Sequence, residues 1–211
     1  MVGPVKWPDL LARAQALADV GSRRILGIAG APGAGKSTVA RRLVDALDGA
    51  AVLVGMDGYH LAQSELQRLG RAERKGAPDT FDPAGYVALL RRLRTPNSGT
   101  VYAPEFRRAI EEPIAGAVPV QPGVPLVLTE GNYLLLDTPP WSAVRGLLDE
   151  VWFLAPDERT RRRWLIARHR RYGRTEEQAA ERTTGSDEHN GRLIAPTAAR
   201  ADLIVDPAQF E

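Results

Sequence analysis

The chain has 211 residues and a mass of 23.0 kDa, enough for one domain with a substantial core. Hydrophobic residues at 44% and charged residues at 26% exclude disordered, fibrous and collagen-like classes, and the absence of cysteine excludes a disulfide framework, a thiolate metal site and a cysteine nucleophile. With 28 basic against 26 acidic residues the net charge is only +2, so the whole-molecule field gives no reason to expect a nucleic-acid partner.

The opening MVGPVKWPDL lacks the basic start and apolar run of a signal peptide, which makes the cytoplasm the expected location. Leu10–Val20 has apolar positions on a helical period, closed by Gly21 and Ser22. Ile25–Gly30 is a short apolar run, followed by a glycine-rich turn and a helical pattern with Val39, Leu43, Ala46 and Leu47 on one face. Ala51–Val54 reads as a second strand, and Pro83–Arg94 as a helix. Residues from about 96 to 124 are rich in Pro and Gly, and an excursion from the sheet edge is expected there. The uncharged stretch Pro113–Thr129 carries four prolines and is too short to span a bilayer; it reads as loop plus strand, with the strand at Pro125–Thr129, and no membrane partner is expected. Trp141–Leu148 and Pro156–Tyr172 read as helices, and Val151–Ala155 and Leu203–Val205 as strands. Strands without polar alternation are covered on both faces, so the pattern predicts an α/β fold with a mostly parallel, doubly wound sheet.

Between the first strand and its helix stands GAPGAGKS, which satisfies G-x-x-x-x-G-K-[ST]. The residues are Gly30, Ala31, Pro32, Gly33, Ala34, Gly35, Lys36 and Ser37, with Thr38 next in the helix. The glycines let successive backbone N–H groups curl around a phosphate at a helix N-terminus. Lys36 is expected to reach the β and γ phosphates of ATP, Ser37 to supply a hydroxyl to Mg²⁺, and Thr38 to donate to the α phosphate. The guanine-reading N-K-x-D and an L-S-G-G-Q sequence are both absent, which leaves a small-molecule kinase as the leading class.

Phosphoryl transfer to an alcohol needs a group that orients the acceptor hydroxyl, a metal ion, and cations for the spreading charge. Asp57, in VLVGMDGYH, follows the second strand, where open α/β sheets place ligands. Glu130 ends the third strand in LVLTEGNY, the place of a Walker-B acid. Residues 157–174 (DERTRRRWLIARHRRYGR) hold eight arginines against two acids. They read as a mobile lid closing over the phosphoryl group, with a solvated basic face or a nucleic-acid patch as the alternatives. His60, His169 and His189 show no metal-ligand spacing.

The motifs GIAGAPGAGKST, MDGYHL, RKGAPDTFD, EGNYLLLD, the ARH-containing arginine segment and RADLIVD occur in one order. In this the chain resembles the P-loop kinases that include bacterial pantothenate kinase, uridine kinase and phosphoribulokinase, most of all the bacterial nucleoside/nucleotide kinase-like or fructose transport system kinase subgroup. The resemblance runs from about Ile25 to Asp206. It implies a single domain, a five-stranded parallel sheet with helices on both faces, a lid over about 157–185, and substrate-side excursions over about 58–82 and 96–124. It implies that Asp57 is the acceptor-orienting base, that Glu130 is the Walker-B-like acid, and that Arg161 and Arg168 are lid arginines acting with Lys36 on the transition state. Tyr59 and His60 would line the acceptor pocket, and adenine contacts would come from about Asn190 to Thr197. A homodimer is among the assemblies it allows.

Lys75–Asp82 resembles the Lys-Gly-aromatic-Pro-acid run of pantothenate kinases except at Ala77, and places Lys75 at the acceptor. Where uridine kinases hold the ribose with an acid before a histidine, this chain has Gly76 and Ala77. In VYAPEFRRAIEEPIAGA, the residues Tyr102, Glu105, Arg107 and Arg108 either face the acceptor or decorate a solvated edge hairpin. The expected function is ATP-dependent transfer of the γ-phosphate to an alcohol of a small polar metabolite, a sugar or a pantothenate-like molecule. The alternatives are a uridine/cytidine-type kinase and, from another class, a non-catalytic nucleotide-dependent regulator or nucleic-acid-associated ATPase.

Overall fold

A computed structural model describes residues 5–95 and 99–210; residues 1–4, the first residues of the expected 96–124 excursion (96–98) and residue 211 lie outside it. Helix α1 (Trp7–Ala18) starts with Pro8 in its first turn and stops before Gly21, whose φ is +85°. Strand β1 (Arg24–Gly30) has no polar alternation because both of its faces are covered. Leu26 and Ile28 pack with Leu10, Ala14, Val39 and Leu43 of α1 and α2 (Lys36–Ala46). Ile25 and Ala29 pack on the other face, with Tyr86 and Leu90 of a later helix.

Strand β2 (Ala51–Gly55) runs into a 3₁₀ turn, Met56–Tyr59, and then α3 (Gln63–Arg68). Helix α4 (Pro83–Arg94) is capped by the Asp82 carboxylate, which accepts from Gly85 N at 2.9 Å. Strands β3 (Val101–Arg107) and β4 (Glu112–Val120) form a separate antiparallel ribbon. Strands β5 (Leu126–Gly131) and β6 (Glu150–Leu154) return to the main sheet. Helices α5 (Glu158–Arg171), α6 (Glu176–Arg182) and α7 (Glu188–Ile194) follow, and β7 (Leu203–Val205) closes the sheet.

The sheet order is β2-β5-β1-β6-β7, with every pairing parallel. This is the doubly wound α/β fold with a phosphate loop at the end of the central strand. The register puts Glu130 beside Ile28 on one side and Gly55 on the other, so the ends of β1, β2 and β5 share one edge. Open parallel sheets bind ligands at that edge.

Two expectations are corrected. Trp141–Leu148 is not an α-helix but two 3₁₀ turns, Trp141–Ala143 and Arg145–Leu147. Pro139 and Pro140 precede it and Gly146 interrupts it, which leaves too short a run to propagate a helix, yet Trp141, Val144 and Leu148 still reach the core. The stretch 113–129 is strand, turn and strand, with the turn closed by Val124 N donating to Gln121 O at 3.2 Å. Pro113 and Pro119 fit inside β4 because in a two-stranded ribbon every strand is an edge.

Candidate active site

Lys36 opens α2, and its buried side chain folds back across the loop. Its Nζ donates to the carbonyls of Gly30 and Ala31, each at 2.9 Å, and to Asn132 Oδ1 at 2.7 Å. Burial pushes the ammonium down to about 8, against the charges of Glu130 and Asp57, which pull it up. Gly33 has a φ of +82° and lies so close beneath α5 that a Cβ there would meet Arg161 O and Leu165 Cβ at 2.9 Å. Pro32 and Ala34 are buried, and Thr38 is exposed on the first turn of α2.

Two carboxylates face this loop. Ser37 Oγ donates to Glu130 Oε1 at 3.0 Å. Asp57, in the turn after β2, accepts from Arg108 Nη2 at 2.8 Å and has His60 Nε2 at 4.0 Å. Burial pushes the Asp57 carboxyl up, but Arg108, with His60, Lys36 and Arg168, outweighs it and holds the group below the usual range. Burial and then the charge of Asp57 push Glu130 up, only partly offset by Lys36 and Ser37. The environments therefore shift the two acids in opposite directions, Asp57 toward its ionised form.

Ser37 Oγ and Glu130 Oε1 are hard oxygen donors in contact, which suits Mg²⁺. Among the described residues no cluster of three or more His, Cys, Asp or Glu could hold a metal by itself. Mg²⁺ takes most of its ligands from water and phosphate, so a hydroxyl beside one carboxylate fits it.

On the acceptor side, His60 is stacked on Phe81 and meets the tilted ring of Phe106, with ring centroids at 3.9 and 4.8 Å. Burial lowers its pKa to about 4, so the ring is neutral at pH 7. Tyr59 packs on Tyr86 at 5.4 Å, and burial raises its phenol to about 12. Lys75 Nζ donates to Glu111 O at 2.5 Å and to Gln63 Oε1 at 3.3 Å, and lies 5.3 Å from the centre of the Phe106 ring.

The expected residues of the hairpin divide. Tyr102 is 60% exposed, and Glu105 and Arg107 pair with each other at 3.8 Å on the outer face. Phe106 and Arg108 point inward instead. A register shift between Ala103 and Glu105 explains this, because a bulge reverses which residues of a strand face which side. The structure thus brings Lys36, Ser37, Asp57, His60, Glu130 and Arg108 together, and leaves Tyr102, Glu105 and Arg107 outside.

The two arginines of α5 also differ. Arg161 is buried, and donates to Pro32 O at 2.9 Å, Glu158 Oε1 at 2.7 Å and Glu188 Oε2 at 3.0 Å, which bolts α5 to the phosphate loop. Arg168 is partly buried, and its guanidinium makes no hydrogen bond or ion pair among the described residues. Burial and the nearby Arg108 lower its pKa, while Asp187, Asp57 and Glu130 oppose them. The outer helices reach the acceptor loop: Arg182 donates to Lys75 O at 2.6 Å and Asn190 to Gly76 O at 3.2 Å. Asn190 is thereby committed to that loop, and Thr197 Oγ1 donates to Ile194 O at 2.7 Å. Sequence reasoning missed Asn132, although it stands two residues after Glu130 in the same motif, and missed Phe106, which no local pattern distinguishes.

The model of the Phosphoribulokinase / Uridine kinase family matches residues 25–209. A Schizosaccharomyces pombe protein named "Putative uridine kinase C227.14" is 33% identical over 97% of this chain and 92% of its own length. The Aspergillus versicolor "ATP-dependent kinase-like protein notR'" is 38% identical over 71% of this chain and 87% of its own. The crystal structure of a "putative fructose transport system kinase" from Silicibacter sp. TM1040 superimposes with a TM-score of 0.82 at 34% identity, covering 92% of this chain and 98% of that one. A phosphate loop on the central strand, two carboxylates at the same sheet edge and these likenesses agree: the chain belongs to the phosphoribulokinase/uridine kinase family and is an ATP-dependent kinase with an alcohol as phosphate acceptor.

Proposed function

We propose that this kinase phosphorylates a small polar metabolite, a sugar or a pantothenate-like alcohol, with Asp57 as the base. The observation that carries the reading is the position of Asp57. It stands at the carboxyl end of β2, beside the strand that carries Glu130, and its carboxylate is held ionised. The hydroxyl oxygen of the acceptor forms a bond to the γ-phosphorus of ATP while the β–γ bridging P–O bond breaks. The hydroxyl proton passes to Asp57, and ADP leaves. Lys36 and the N–H groups of the loop orient the phosphates, and Arg168, without an ion pair among the described residues, offsets the charge that spreads over the transferring group. Ser37 and Glu130 would hold Mg²⁺, which when bound neutralises phosphate charge. A neutral Tyr59 and a neutral His60 line the pocket on the acceptor side.

The test is ADP release with Mg·ATP against pantothenate, fructose, other sugars, uridine and cytidine. One acceptor is expected to give turnover, and Asp57→Asn is expected to lower kcat by about 10²–10⁴-fold while ATP affinity stays within about threefold. Full turnover by the variant removes Asp57 from the base role. A uridine-type acceptor is the second reading, supported by the name of the S. pombe relative; it predicts that uridine, and no sugar, is turned over.

A further inference from the structure

Of three cationic groups on the acceptor side, only Arg108 makes an ion pair with a carboxylate among the described residues. Arg108 lies at the end of the β3–β4 ribbon with its guanidinium 5.5 Å from the centre of the Phe106 ring, and Lys75 Nζ lies 5.3 Å from the same ring. Arg168, whose pKa is lowered by burial and by the nearby Arg108, adds a third positive charge. Asp57 pairs with one of the three, Arg108. The other nearby acids keep their hydrogen bonds to other groups and make no ion pair with these three cations: Asp187 Oδ2 is 2.7 Å from His169 Nε2, Glu112 accepts from Gln63 N at 3.0 Å, and Glu130 accepts from Ser37. Lys75 binds only neutral oxygens and, like Arg168, has no carboxylate within ion-pair distance among the described residues.

Arg108 is also misplaced for a neutral substrate. A guanidinium has five N–H donors, and among the described residues Arg108 is hydrogen-bonded only through Nη2, on Asp57. That bond stabilises the carboxylate and so weakens it as a base. A neutral polyol gives Arg108 no reason to leave. A carboxylate or phosphate lodged by Phe106, between Arg108 and Lys75, competes with Asp57 for the same donors and would free the base as it binds.

We infer that the acceptor alcohol carries an anionic group, a carboxylate or a phosphate, and that Arg108 is the residue that recognises it. This rests on the kinase reading with Asp57 as base. Arg108 then acts twice, as a specificity residue through its contact with the anion and as a positioning residue for Asp57. Phosphoryl transfer itself is unchanged: the acceptor O–P bond forms, the β–γ bond breaks and the proton goes to Asp57.

The experiment measures kcat/KM for matched pairs that differ in charge, namely glycerate and glycerol, ribose 5-phosphate and ribose, and pantothenate and pantothenol, with fructose and uridine alongside. The anionic member of at least one pair is expected to exceed its neutral partner by about 30-fold or more. Arg108→Gln should collapse that ratio, and Arg108→Lys should restore part of it. Which pair responds separates a carboxylate from a phosphate. Lys75→Gln gives a second variant should Arg108→Gln fail to fold, and should lower the same ratio by a smaller factor. Turnover of fructose or uridine with no anionic acceptor active overturns the inference and leaves the kinase reading intact. An equal loss on both members of a pair in Arg108→Gln also overturns it, since Arg108 then only positions Asp57. Silence from every acceptor, with Mg·ATP bound, removes both readings.

Discussion

Lys36 is the residue whose chemistry the fold alters most directly. A lysine in water stays protonated far above pH 8, but here burial brings the group down to about 8 in the nucleotide-free loop. The charged form prevails below that pH and is lost above it. ATP needs the cation, so its affinity should hold between pH 6.5 and 8 and fall by up to about tenfold per pH unit beyond 8. Calorimetric titration with Mg·ATP across that range checks this, and a flat profile to pH 9.5 would show that the loop keeps Lys36 protonated. Asp57 and Glu130 make the complementary point. They are chemically similar acids at one sheet edge, and an arginine from a remote hairpin makes one of them the better anion. Both carboxylates were legible in the sequence because each directly follows an apolar strand. Their division of labour was not, because it depends on Arg108, 51 residues from Asp57 along the chain.

The element that decides most at the next scale is α5. Its sequence is dominated by arginine, and local charge alone cannot tell a solvated face from a functional one. Packing separates them. Arg161 is bolted to Pro32 O, Glu158 and Glu188, whereas Arg168 lies toward the carboxylates and its guanidinium makes no ion pair among the described residues. Arg161→Ala should therefore act through the helix more than through the phosphates, since it removes the contact to the loop and leaves Glu188 with only the longer pairs to Arg162 and Arg192, each at 3.5 Å. We expect a stability loss of about 2–3 kcal/mol and faster proteolytic cleavage at the Tyr172–Arg174 turn, measured by denaturant unfolding and limited digestion. Unchanged digestion would show that Gly33 and Leu165 alone hold the helix down. The ribbon β3–β4 teaches the same lesson with one bulge. Alternation read from the sequence treats 105 and 107 as one face and 106 and 108 as the other. It cannot say which face meets the substrate until the register shift at Ala103 and Glu105 is known.

At the scale of the whole molecule, the helices α5–α7 are tied to both halves of the site, to the phosphate loop through Arg161 and to the acceptor loop through Arg182 and Asn190. They should not melt apart from the sheet. One cooperative thermal transition is expected, and Mg·ATP at about 100 times its Kd should add about 2.7 kcal/mol and raise Tm by about 5–10 °C. Duplex DNA or RNA should produce no such shift, given a net charge of only +2. An early transition confined to the arginine-rich helices, or stabilisation by nucleic acid that vanishes with salt, would favour the rival reading in which this surface meets a polynucleotide.

Along this chain the local signals were sufficient wherever one segment carries a whole function. GAPGAGKS is a contiguous phosphate cradle, unalternated apolar runs require a sheet covered on both faces, and carboxylates at strand ends fall at the ligand edge of such a sheet. The sequence by itself therefore determined the nucleotide loop, the doubly wound parallel sheet and the kinase class. Only the tertiary structure decided that Arg108 rather than Arg107 meets Asp57, that Arg161 is a bolt while the Arg168 guanidinium makes no ion pair among the described residues, and that residues 141–148 cover the sheet without forming an α-helix. Each of these depends on bringing distant segments together, where the register of a ribbon and the space beside a glycine choose among side chains that the local pattern leaves equivalent.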